Sequence, residues 1–99
     1  MDKWYNQILS LVCRITKVSP NEIFKSNKEE IVDARYILIY KLSEYFTDIE
    51  MAKMCGVSRE LTNKVRRCFE PKLRKFSFRC KYREVCNEFE EIESAMKLV

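Results

Sequence analysis

The sequence predicts an all-α domain, an orthogonal bundle of five to six helices that contains a helix-turn-helix and ends in a long amphipathic helix. The 99 residues include one Gly and two Pro, which argues against turn-rich all-β folds. Apolar residues recur at the three- and four-residue spacing of a helix face. Because a domain typically has about 100–200 residues, we treat residues 1–99 as one domain.

The first half of the chain predicts three helices. Apolar residues at helical spacing predict the first over residues 3–15. Ser19 as a cap, Pro20 in the first helical position and Glu22 three residues after the cap predict a second, short helix. The third is expected over residues 29–46, where a wide apolar face indicates a position at the centre of the core.

Residues 47–69 predict a helix-turn-helix. A capping box opens a short helix that holds Ile49, Ala52 and Met54, and Ala52 is small enough to let a second helix cross closely. Gly56 suits the turn, and Ser58 caps the second helix. In a DNA-binding helix-turn-helix this second helix enters the major groove, which is about 12 Å wide. An ordinary helical hairpin is the alternative.

The last predicted helix covers residues 76–98 and carries the most regular apolar stripe. Its members step by four and three residues, an a/d pattern over nearly three heptads. Two interpretations remain open: the stripe covers the rest of the domain, or it binds a partner protein or a second copy in a coiled-coil homodimer. The stripe consists of Phe78, Tyr82, Val85, Phe89, Ile92 and Met96.

Charge is distributed unevenly along the chain. The net charge is +4, but residues 64–83 alone hold nine basic residues and one acid, and residues 84–99 hold five acids and one lysine. A dense basic segment is the electrostatic pattern of a polyanion-binding protein. Because this segment adjoins the predicted helix-turn-helix, double-stranded DNA is the predicted partner.

Three stretches share a pattern with one family. Residues 17–24 (KVSPNEIF) match a short helix before a basic loop, residues 31–40 (IVDARYILIY) are similar to a helix with the pattern V-x-A-R-x-I-A-M-Y, and residues 59–68 (RELTNKVRRC) stand where the family has R-D-H-T-T-V-L-H-A. On these stretches the chain resembles the C-terminal DNA-binding domain (domain IV) of the bacterial replication initiator DnaA, in the Trp-repressor-like group of helix-turn-helix folds.

The resemblance implies a stand-alone regulator of replication or transcription, of bacterial or phage origin, that reads DNA with the helix beginning near Arg59. The family's base-reading residues correspond to Glu60, Leu61, Thr62 and Asn63. Thr62 matches, Glu60 keeps a carboxylate, Leu61 cannot form hydrogen bonds with its side chain, and Asn63 can pair with adenine. The family's arginine-rich loop corresponds to residues 26–30 (SNKEE), which contain a single cation, Lys28.

The predicted DNA-binding residues combine this helix with the basic segment that follows it. The alternative function is a protein-interaction module that reuses the fold and docks an acidic partner on the basic segment. The predicted residues are Ser58, Arg59, Glu60, Thr62, Asn63, Lys64, Arg66, Arg67, Lys72, Arg74 and Lys75. On the exposed face of the second helix, Arg59, Glu60, Thr62, Asn63 and Arg66 are expected to face bases or nearby phosphates. The expected phosphate contacts are Lys64, Arg67, Lys72, Arg74 and Lys75.

Composition argues against enzymatic function. The chain has no His to act as a general base, and its single Gly excludes a Gly-rich phosphate loop. Five Cys without C-x-x-C spacing indicate reduced thiols and no metal site, and no cofactor is expected. We expect no membrane partner, because no apolar run approaches about 18 residues. A cytoplasmic, nucleoid-associated protein without a secretory signal is the expected localisation.

Overall fold

The structure, a computed structural model, describes residues 3–97 of the chain, with side chains described through residue 95. The described residues form five helices and no strands, which confirms the predicted all-α class. The helices are α1 (Lys3–Thr16), α2 (Glu29–Leu42), α3 (Asp48–Cys55), α4 (Arg59–Lys72) and α5 (Phe76–Lys97).

Helix α2 lies at the centre of the bundle, as its apolar composition predicts. It packs against α1 and α4, while α5 packs mainly on α1. Ala34, Ile37, Leu38 and Ile39 are all fully buried, although they point in different directions around the helix. A helix that is apolar on all sides must be covered on all sides, and α2 therefore forms the core of the domain.

An aromatic cluster joins α2 to the two C-terminal helices. The rings of Tyr40 in α2 and Phe69 in α4 are stacked, with centroids 3.8 Å apart. Phe78 and Tyr82 of α5 contact the Phe69 ring edge-on, at centroid distances of 5.2 and 4.7 Å. Such pairs stabilise a core beyond the area they bury. This cluster fixes α4 against α2 and thereby determines which side of α4 faces solvent.

The predicted second helix near Ser19 is wrong, because residues 20–25 form turns. The Ser19 carbonyl accepts from the backbone N–H groups of Glu22 and Ile23, but the bonds do not continue into a helix. The first turn of a helix fixes the backbone of several residues for a single hydrogen bond, which is unfavourable. A segment this short cannot add further bonds to offset that cost. Instead Ile23 is fully buried, and Arg35 donates from Nε to the Ile23 carbonyl oxygen at 2.8 Å.

Both flanking helices end where local hydrogen bonds favour a turn. Helix α2 ends at Leu42, four residues before the predicted position, and the Ser43 hydroxyl bonds the Tyr40 carbonyl at 2.7 Å. Such side-chain bonds compete with helix extension. Helix α1 ends at Thr16, and the next residue, Lys17, has a left-handed φ of 59°. The N–H of the buried Val18 donates to the Cys13 carbonyl at 3.1 Å, which completes a Schellman motif.

The apolar stripe of α5 packs against its own domain. Phe78, Val85 and Phe89 are buried, and Tyr82 and Ile92 are half-buried against the core. Met96, the last member of the predicted stripe, lies outside the described side chains. This favours the first interpretation of the stripe, so a partner of α5 would have to use the polar side of the helix. None of the helices in the described part of the chain has the length and hydropathy needed to cross a bilayer.

Candidate nucleic-acid interface

Two capped helices joined by a three-residue turn form the candidate site. The Thr47 hydroxyl accepts from the Glu50 N–H at 3.2 Å, and the Glu50 carboxylate accepts from the Thr47 N–H at 2.9 Å, which confirms the predicted capping box of α3. Gly56 ends α3 with a φ of 71°. The Ser58 hydroxyl accepts from the Leu61 N–H at 3.1 Å and caps α4. The predicted cap by Ser58 is therefore confirmed, whereas its contact with DNA stays a prediction.

One side of α4 is buried against α2, and it includes a residue predicted to contact DNA. Thr62 is fully buried together with Val65 and Phe69, three and seven residues later. Its hydroxyl donates to the Ser58 carbonyl at 3.2 Å. The prediction that Thr62 lies on the exposed face is therefore wrong, because it shares the helical side that the apolar residues bury. Leu61 is half-buried.

The opposite side of α4 is exposed to solvent and does not pack against α2. We call this surface the polar face of α4; it carries four cations and one carboxylate. The Arg66 guanidinium approaches the Asn63 amide oxygen at 3.5 Å, at the limit of a hydrogen bond. The Asn63 amide therefore remains accessible to a ligand. The face consists of Arg59, Glu60, Asn63, Lys64, Arg66 and Arg67, all exposed.

Asp48, the first residue of α3, lies between two arginines of the polar face. Its carboxylate oxygens are 3.7 Å from Arg59 Nε and 3.7 Å from Arg66 Nη2. The oxygen that faces Arg66 is buried and accepts no hydrogen bond within the described residues. At these distances the attraction is electrostatic, without hydrogen bonds. Asp48 therefore draws both guanidinium groups towards the N-terminus of α3.

The structure places two of the predicted phosphate-binding lysines on a buried acid instead. Asp33 in α2 is almost fully buried, and its carboxylate accepts from Lys72 Nζ at 2.9 Å and Lys75 Nζ at 2.8 Å. Lys75 also pairs with Glu29, and the Lys72 ammonium lies 4.7 Å from the centroid of the Tyr36 ring. A buried carboxylate requires such partners. Both lysines are therefore engaged within the fold.

These ion pairs shift the pKa values of Asp33 and Lys75. Burial alone would raise the pKa of Asp33, but the hydrogen bonds and charges of Lys75 and Lys72 outweigh it and lower that pKa below the usual value. The hydrogen bonds to Asp33 and Glu29 raise the pKa of Lys75. Both shifts favour the charged forms of Asp33 and Lys75.

Helix α3 exposes Ile49 and Ala52 to solvent. Ile49 is 69% exposed and Ala52 is also exposed, whereas Met51 is the buried residue of the helix. Two turns of helix have few inward positions, and Met51, the longest apolar side chain near the middle, takes the fully buried one. The expectation that a second helix crosses closely at Ala52 is wrong, because Ala52 is exposed, and the exposed Ile49 gives α3 an apolar spot beside the polar face.

Asp33 and Asp48, the two acids that organise the cations, are not among the residues predicted from the sequence. For Asp33 a signal exists: it is the only charged residue between Ile31 and Ala34, in a helix whose neighbouring positions are apolar. An acid within a buried stretch requires a cation. For Asp48 no such signal exists, because an acid in the first turn of a helix is common for electrostatic reasons alone.

Comparisons with known proteins add no relative. No protein-family model matches the chain, and no curated protein and no solved structure is detectably similar to it. The resemblance to the DnaA domain therefore stays a prediction from the residues quoted above.

Proposed function

We propose that this protein is a non-enzymatic DNA-binding protein in which α3 and α4 act as a helix-turn-helix and the polar face of α4 enters the major groove of duplex DNA. The observation that carries the proposal is the exposure of this face, opposite the side of α4 that packs on α2. A recognition helix requires one side buried for rigidity and one side free to reach base edges.

The side chains of the polar face match the two kinds of contact that DNA offers. Asn63 has the amide that pairs in two hydrogen bonds with adenine, and Glu60 can accept from a cytosine amino group. Lys64 and Arg67 form no ion pair with any described residue and so can bind phosphate. In this proposal Asn63 and Glu60 supply sequence preference, whereas the cations supply most of the affinity.

The network of Asp33 changes the predicted set of phosphate contacts. Lys72 and Lys75 donate to Asp33, so we assign them a structural role and leave Arg74 as the exposed cation beyond α4. A role in replication or transcription, in association with the nucleoid, is part of the same proposal and is supported by the sequence resemblance alone.

Binding is tested with fluorescently labelled blunt duplexes by anisotropy at about 50 mM salt, after selection of preferred sequences from a random duplex pool. Asn63→Ala should lose about 1–3 kcal/mol on a selected site and little on unrelated duplexes, because it removes a base contact. The matched control is Asn87→Ala, an exposed asparagine on α5. No binding by the unmodified protein, or equal losses for Asn63→Ala and Asn87→Ala, would reject the proposal.

A protein-interaction module is the second candidate. The observation that favours it is Ile49, whose apolar side chain is 69% exposed on α3 beside the polar face. In that case the basic segment would dock an acidic protein around a small apolar anchor. Binding to acidic peptides that exceeds binding to duplex DNA at equal salt, and that Ile49→Ala weakens, would support this candidate over the first.

A further inference from the structure

The turn between α4 and α5 forms a second exposed surface, of which the duplex proposal uses only Arg74. We call it the corner: a surface depression of about 480 Å³ lined by Glu70, Pro71, Leu73, Arg74 and Arg79. The residues of the corner belong to the basic segment. Neither Arg74 nor Arg79 forms an ion pair with any residue in the described part of the chain, so both guanidinium groups are available.

An aromatic ring extends this surface into solvent. Phe76, the first residue of α5, is 71% exposed, the largest exposure among the bulky apolar side chains described. The Arg79 guanidinium carbon lies 5.6 Å from the centroid of the Phe76 ring, so Arg79 belongs both to the depression and to the aromatic contact. A cation near a ring at this distance is attracted to it. The ring and the two arginines thus form one continuous surface.

This combination of groups fits one class of ligand. An exposed ring stacks on nucleobases, and arginines beside it bind phosphates of the same strand. In a duplex the faces of the bases are hidden by their neighbours, so only an unpaired strand offers them to a side chain. We propose that the corner binds single-stranded DNA, with a base stacked on Phe76 and the flanking phosphates bound by Arg74 and Arg79.

Charge complementarity supports a polyanion over an apolar protein partner. Residues 64–83 carry nine basic side chains, and Glu70 is the single acid among them. An apolar partner would need a broader patch than one ring, since Leu73, the other large apolar residue here, is half-buried. Glu70 opposes the ligand, because its carboxylate repels phosphate. Its neutral substitution should therefore strengthen binding.

The test measures binding of labelled oligothymidylate, about 12 nucleotides long, beside a blunt duplex at the same salt. Phe76→Ala should weaken oligothymidylate binding about five- to 150-fold, the range of one stacked base, and leave the blunt duplex within about twofold. Phe76→Tyr should retain binding, and Phe76→Leu should not, because stacking needs a π surface. Glu70→Gln should bind more tightly. Since Phe76 lies outside the core, its variants should fold normally, which circular dichroism checks.

Ile49→Ala is the matched control, because Ile49 is 69% exposed but has no aromatic ring; it should bind oligothymidylate like the unmodified protein. The proposal fails if the unmodified protein does not bind oligothymidylate, if Phe76→Ala binds it normally, or if Phe76→Ala weakens the duplex equally. Binding of poly-glutamate, an acidic peptide, is measured in the same way. If Phe76→Ala loses binding to poly-glutamate but keeps binding to oligothymidylate, the corner is a protein-docking surface and the proposal is overturned. The duplex measurements with Asn63→Ala report separately on α4, so either proposal can fail alone.

Discussion

Asp33 is the residue on which the connection between α2 and the C-terminal helices depends. Its carboxylate is buried, and the two lysines that neutralise it come from the last turn of α4 and from the turn that follows. Removing one partner from a buried ion pair is costly, because the remaining charges stay in a poorly solvated position. The sequence predicts that the same two lysines bind phosphate, but their hydrogen bonds to Asp33 give them a structural role instead.

Asp33→Asn should destabilise the fold by about 2–3 kcal/mol, less than a fully buried pair because both lysines keep some solvent contact. Urea unfolding followed by circular dichroism measures the change. Glu30→Gln, an exposed substitution three residues earlier, is the matched control and should change little. An Asp33→Asn variant as stable as the unmodified protein would contradict the importance of this network.

The same network gives a pH dependence with a definite sign. The pKa of Asp33 is lowered in the folded state, so its stabilising contribution is present above the unfolded value of about 3.9 and is lost as pH falls through the folded pKa. The stability difference between the unmodified protein and Asp33→Asn should therefore be constant around neutral pH and narrow below about pH 4. A difference that grows in acid would contradict the assigned cause.

Asp48 is expected to limit how Arg59 and Arg66 meet DNA. Asp48→Asn should release both arginines, raise affinity for unrelated duplexes about two- to tenfold through the lost negative charge, and reduce the preference for selected sequences through lost positioning. Glu44→Gln removes an exposed acid elsewhere and is the control. Equal gains on selected and unrelated duplexes would show that Asp48 acts through charge alone.

At the scale of helices, the sequence predicts elements well where a cap is followed by enough chain to form repeating hydrogen bonds. Thr47 and Ser58 both cap helices as expected, and α4 and α5 begin where predicted. The same pattern at Ser19 fails, because a segment this short cannot repeat its hydrogen bonds before the next helix must begin. Local signals therefore identify helix starts, whereas helix persistence depends on length and packing.

The predicted site is only partly recovered, for a reason of orientation. Helical spacing groups Thr62 with the apolar Val65 and Phe69, so its burial follows from the side of α4 that packs on α2, although its hydroxyl suggested a DNA contact. Lys72 and a free cation such as Arg67, in contrast, look alike in the sequence until the position of Asp33 is known. Tertiary contacts, not local patterns, distinguish surface cations from those that neutralise the core.

Gly56 controls the turn between α3 and α4. Its φ of 71° is left-handed, and a Cβ added there would meet no atom within 4 Å, so only the backbone conformation opposes a side chain. Gly56→Ala should cost about 1–2 kcal/mol of folding free energy, and Gly56→Asn less, because Asn tolerates this conformation. Thermal unfolding of both variants measures this. Equal losses would point to a steric cause that the structure does not contain.

Over the whole molecule, the positive and negative charges are separated. The basic segment spans α4, the corner and the first half of α5, whereas residues 84–99 carry five acids and one lysine. A polyanion is therefore attracted to one end and repelled from the other, which orients the protein as it approaches. This separation should make DNA binding strongly dependent on salt.

Duplex affinity should fall with salt along a log–log slope of roughly −4 to −5, as about five phosphate contacts release counterions. Arg67→Ala should reduce the slope by about one, because it removes one contact. Lys72→Met should leave the slope unchanged and lower stability instead, since this ammonium binds Asp33. A slope altered by Lys72→Met and not by Arg67→Ala would exchange the roles assigned to the two residues.

The chain between α1 and α2 is secured in an unusual way. This segment has no helix of its own. The Arg35 guanidinium donates hydrogen bonds to the backbone carbonyls of Ile23 and Ser26, and the Ile23 side chain is buried in the core. Its backbone hydrogen bonds are local turns that do not repeat as in a helix, so we expect this segment to open at a lower free-energy cost than the helices unfold. Substitution of Arg35 should therefore make this segment the first site of limited proteolysis, before the helices unfold.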